Sequence, residues 1–64
     1  MMYPNGFDGI CIVLPKNGNF TIGHTYHFQE HQTNDIVFIS CNDDSGNNQS
    51  FYEWSGFNRY FKQI

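Results

Sequence analysis

Three histidines fall at His24, His27 and His31, spaced by three and four residues. On a helix that spacing would gather the imidazoles on one face and make a metal site. The segment His24 to Glu30 (HTYHFQE) instead alternates polar and aromatic residues, the pattern of a half-buried strand. On a strand Tyr26 and Phe28 point one way while Thr25, His27 and Gln29 point the other, so the rings diverge and no metal is expected. Acid–base chemistry would need paired carboxylates, and Asp43-Asp44 is the nearest approach, with Asp35, Glu30 and Glu53 elsewhere. That pair lies in Asn42 to Asn48 (NDDSGNN), a run of turn formers in which aspartate bonds its own backbone. Asp43, Ser45 and Asn47 begin like a calcium loop, but the glycine and the glutamate that complete one are missing. Cys11 and Cys41 each sit inside an apolar run and are expected to stay reduced, packed as small hydrophobes. No Ser-His-Asp order and no phosphate-cradling glycine loop is visible, so neither catalysis nor a cofactor is expected.

The aromatic residues say more. Phe51, Tyr52, Trp54, Phe57, Tyr60 and Phe61 crowd into one short stretch. Strand alternation sends Phe51 to one face, and Tyr52 with Trp54 to the other. A small core cannot enclose them all, and exposed tyrosine and tryptophan are favoured interface anchors. The candidate partner-binding residues are therefore Tyr52, Trp54, Phe57 and Tyr60. Asp43 and Asp44 join them as an acidic loop that could compete for a phosphate-binding site. The alternative is a barrel that stacks the bases of single-stranded nucleic acid on these rings. Charge opposes it: three Lys and Arg stand against six Asp and Glu, a net charge of −3. Lys16, Arg59 and Lys62 are too few and too scattered to neutralise a phosphate backbone.

These residues must be positioned by a chain of 64, enough for one domain with a marginal core. Alanine is absent and Leu14 is the sole leucine, so good helix formers are scarce. Aromatics make up 19% of the chain, which favours strands, and eight asparagines favour turns. The expectation is all-β. Residues 1–8 read as an irregular arm around Pro4 and Asn5-Gly6, and residues 9–64 as one domain. Strands are expected at Gly9–Leu14, His24–Glu30, Ile36–Cys41, Gln49–Trp54 and Arg59–Ile64, with a single 3₁₀ turn at Ser55–Asn58. Ile12, Tyr26, Phe28 and Phe38 should be largely buried. Closing such a sheet into a small barrel would remove its edges. An edge left open, or an aromatic patch, could pair two copies into a homodimer. No apolar run reaches bilayer length and no secretory signal is visible at Met1-Met2-Tyr3-Pro4, so a cytoplasmic protein without a membrane partner is expected.

The motifs resemble a loose group of small SH3-like proteins of tailed bacteriophages. The likeness rests on Cys11 in the first strand, on Phe20-Thr21-Ile22-Gly23-His24-Thr25-Tyr26, on Ile36 to Cys41 followed by Asn42-Asp43-Asp44-Ser45-Gly46, and on Arg59-Tyr60-Phe61. It implies a five-stranded SH3-like barrel over residues 9–64. It also implies a module acting in the host cytoplasm that binds, and modulates or inhibits, a host protein or assembly. His24 stands where that group usually has lysine. The motifs by which signalling SH3 domains bind proline-rich peptides are absent, so that activity is not implied.

Overall fold

The computed structural model describes residues 6–64. Five strands and one helix follow in order: β1 (Gly6–Cys11), β2 (Thr25–Thr33), β3 (Ile36–Asn42), β4 (Asn48–Tyr52), α1 (Glu53–Tyr60) and β5 (Phe61–Gln63). All strand pairs are antiparallel, in one sheet of order β4-β3-β2-β1-β5. The chain is thus mostly β, as its composition implies, but the sheet does not close: β4 and β5 are free edges rather than neighbours in a barrel.

The nine residues of β2 explain how one sheet encloses a core. Thr25–Gln29 pair with β1, whereas Gln29–Thr33 pair with β3. The strand passes from one half of the sheet to the other, and right-handed twist folds the halves toward each other. Between them lie Cys11, Tyr26, Phe28, Ile39, Cys41, Phe51 and Phe61 from the strands, Phe57 from α1 and Phe20 from the loop before β2. Phe28 sits at the centre, edge-on to Phe57 at 5.0 Å and to Phe61 at 4.9 Å between ring centroids. Each such pair contributes about 0.5–1.5 kcal/mol beyond simple burial. Gly9 is required here, because a Cβ would stand 2.9 Å from Phe28 and 3.2 Å from Phe57.

Four expectations need correction. The expected arm is partly strand: Gly6, Phe7 and Asp8 pair with Gln29, Phe28 and His27, while residues 1–5 lie outside the described residues. β1 also ends early, at Cys11. The amides of Ile12 and Val13 both donate to the Tyr60 carbonyl, which turns the chain outward. Ile12, expected in the core, is therefore 46% exposed, and Val13, Leu14 and Ile22 are exposed with it. Phe20 takes that core place instead, edge-on to Tyr26 and Phe61. Phe38 is only half-buried, because its register with His31 and Tyr52 puts it on the outer face of the sheet. Tyr26 and Phe28 are buried as expected. Finally, the helical segment is an eight-residue α-helix rather than one 3₁₀ turn. It inserts Phe57 between the halves, and its C-terminal amide at Phe61 returns to the Phe57 carbonyl.

Candidate functional site

The two ends of the β3–β4 hairpin carry the residues singled out in the sequence. At the turn end, Asp43 is buried and its carboxylate is fully engaged. Oδ1 accepts the amides of Ser45 and Asn47 at 2.9 Å each; Oδ2 accepts the Asn19 amide at 3.0 Å and the Gln49 side-chain amide at 3.1 Å. These bonds, that from Asn19 foremost, hold its pKa below the ordinary aspartate value. Asp44 is exposed, but it too is committed. Oδ1 accepts the Tyr26 hydroxyl at 2.8 Å and Oδ2 the Thr21 hydroxyl at 2.7 Å. Together the two aspartates tie the loop before β2 to the β3–β4 turn. They hold the fold rather than presenting free charge to a partner.

The open end is built differently. Phe38 faces Tyr52 in the register, so the next pair would set Val37 opposite Glu53. Glu53 instead adopts φ 66°, a left-handed conformation, and the chain leaves the sheet to begin α1. β3 runs on through Val37 and Ile36 with β2 on one side only. The bond from the Asp43 amide to the Asn47 carbonyl fixes the alternation along β3. By that alternation the N–H and C=O of Val37 point to the side that β4 has vacated. The result is an open cleft of about 470 Å³ lined by Asp35, Ile36, Val37, Tyr52, Glu53 and Trp54. Tyr52 is 67% exposed and Ile36 57%. Asp35 and Glu53 put two carboxylates among the lining residues, and no lysine or arginine is among them.

The apolar floor is held by the core. Trp54 packs on Phe7 at 5.3 Å and edge-on to Phe57 at 5.4 Å, while its Nε1 donates to Glu30 Oε2 at 3.3 Å. Tyr52 leans on Phe38 at 6.1 Å; Phe38 in turn stacks on His31 at 4.6 Å, and His31 Nε2 lies 2.9 Å from Ser40 Oγ. A row of three rings thus crosses β2, β3 and β4 on the outer face and ends at the cleft.

Of the six residues named from sequence, the cleft brings together Tyr52 and Trp54. Phe57 is a correction: at 0% exposure its ring is core and cannot be an anchor. Tyr60 is half-buried and packs against Phe51 at 6.2 Å, away from the cleft lining. Ile36 and Val37 were missed, because in sequence they read as ordinary members of a strand; the departure of the chain at Glu53 leaves them beside the cleft. The histidines do not converge. His27 pairs with Asp8 at 3.0 Å, His31 with Ser40, and His24 lies in the loop. Among the described residues no metal-ligating group of three forms. Cys11 and Cys41 are free and buried; burial pushes the Cys41 thiol up to about 12 and raises that of Cys11. Among the described residues no helix is long and apolar enough to cross a membrane. No family model matches the chain, and no curated protein and no solved structure matches it.

Proposed function

We propose that this chain is a protein-interaction module of the phage SH3-like type, which binds and inhibits a host protein through the Tyr52–Ile36–Trp54 cleft. The observation that carries the reading is the exposure of Tyr52 and Ile36 beside a supported tryptophan at a notch in the sheet. Contiguous exposed apolar groups mark docking surfaces, and aromatic anchors on a rigid floor are where binding energy concentrates. Asp35 and Glu53 among the lining residues select a partner segment with an apolar side chain for the notch and a lysine or arginine beside it. Support for the SH3-like part is the strand order, in which β5 returns to pair with β1, and the helical element between β4 and β5. Inhibition follows if the captured segment is one the host protein needs for its own contacts.

The experiment is capture from host lysate with the wild type, Tyr52→Ala and Ile36→Ser, each checked by thermal melting. The expected result is one protein retained by the wild type, lost from both variants, with unchanged melts. Capture should also weaken as salt rises, through screening of the cleft carboxylates. Retention by both variants overturns the cleft. Binding of single-stranded DNA or RNA, falling steeply with salt, would favour the base-stacking alternative that the His31–Phe38–Tyr52 row suggests.

A further inference from the structure

The two edges of the sheet are not equivalent. In β4, Gln49 and Phe51 turn their backbone groups toward Cys41 and Ile39, an alternation set by the neighbouring bond from the Asp43 amide to the Asn47 carbonyl. The N–H and C=O groups of Asn48, Ser50 and Tyr52 therefore point away from the sheet. The Tyr52 carbonyl, as the N-cap of α1, is taken by the first turn of the helix; the Asn48 and Ser50 groups and the Tyr52 N–H are left on the open side. Edge strands are ordinarily guarded by charge, proline, a bulge or shortness. The β4 sequence Asn48-Gln49-Ser50-Phe51-Tyr52 has no charge and no proline, and its register with β3 is unbroken over five residues. The other edge is guarded: β5 has three residues, carries Lys62, and gives its Phe61 amide to the Phe57 carbonyl.

We infer that β4 is a self-pairing edge, and that two copies of this chain join antiparallel about a two-fold axis at Ser50. In that register Ser50 faces Ser50 of the second copy, and Asn48 faces its Tyr52. The outward groups then form up to about four backbone bonds, two between the Ser50 residues and one from each Tyr52 N–H to the Asn48 carbonyl of the second copy. An uncharged strand meets itself without repulsion, so the second copy is a complementary occupant of this edge. The opposing force is the −3 charge of each whole chain, which salt screens. Self-pairing therefore strengthens with salt, the reverse of the response expected for a basic segment at the cleft.

Sedimentation equilibrium of the full chain tests this. The expected result is a sub-millimolar dimer that tightens as salt is raised. Ser50→Lys and Ser50→Glu each place like charges against each other on the two-fold and should weaken it at least tenfold. Mixing the two variants in equal amounts should restore dimer as a Lys–Glu hybrid. Amide exchange on the wild type supplies a reading without mutation: protection at Ser50 and Tyr52 should rise with protein concentration, while that at Gln63 should not. A wild type that stays monomeric to about 1 mM overturns the inference. So does a dimer unmoved by both charge variants, or one whose concentration-dependent protection appears at Gln63.

Discussion

At the turn end of the β3–β4 hairpin the Asp43 carboxylate accepts four hydrogen bonds and Asp44 two more. At the open end Tyr52 and Ile36 stand in solvent, and Val37, paired with β2 on one side, has no strand on the other. Both ends contain residues that stand out in the sequence, one by charge and one by aromaticity. The difference shows that a conspicuous residue is a binding candidate only when its valences are left over after folding. Asp43 is saturated from within the chain, whereas the Tyr52 ring is held at one side and free at the other.

The comparison breaks most severely through the core that supports both ends. Phe57→Ala removes a fully buried ring and should cost about 3–5 kcal/mol. Domains of this size hold roughly 3–10 kcal/mol in total, so thermal or urea unfolding should show a large loss of stability and cleft binding should fall with it. A native-like melt would mean that the core collapses around the gap. Tyr52→Ala sharpens the contrast: affinity for the captured partner should fall about thirtyfold, about 2 kcal/mol, while unfolding changes by no more than about 0.5 kcal/mol. Asp43→Ala should do the reverse, lowering Tm by roughly 5 °C or more with the partner's affinity retained.

Acid should act on the turn end through Asp43. The folded-state pKa of Asp43 lies below its ordinary value, so its contribution is fully present above that ordinary value, near 4. The contribution is lost as pH falls through the lowered value. Tm measured from pH 5 downward should therefore decline, and Asp43→Asn should flatten part of that decline. A slope unchanged in Asp43→Asn would assign acid sensitivity to other carboxylates. The smallest effect is expected at the junction of β4 and α1. Glu53→Gly relieves a left-handed φ of 66° and should raise stability by about 0.5–1 kcal/mol, without moving the sheet.

The sheet was legible where alternation was clean. Tyr26 and Phe28 lie inside and His27 and Gln29 outside, as the period of two requires. It was illegible at Gly9 to Leu14, where a continuous apolar run has no period to show which residues leave the sheet; the decision belongs to the Tyr60 carbonyl, forty-odd residues later. The helix was underestimated because propensity speaks against it, and tertiary burial of Phe57 overrides propensity. Tyr52 and Trp54 could be named from their type. Ile36 and Val37 could not, since their place beside the cleft depends on one backbone angle at Glu53, a residue remote in sequence. The bound state of Asp43 was half visible: its own turn accounts for Ser45 and Asn47, but Asn19 comes from a distant loop.

The pairing of β1 with β5 has a kinetic meaning. Every other neighbour in the sheet is also the next strand in sequence, so β1 through β4 can zip as a meander from short closures. The contact from the Ile64 amide to the Asp8 carbonyl must instead close almost the entire chain, at the largest entropic cost in the molecule. β5 therefore docks late. Substitutions along its three residues should speed unfolding more than they slow folding, a difference that folding and unfolding rates across a denaturant series would read.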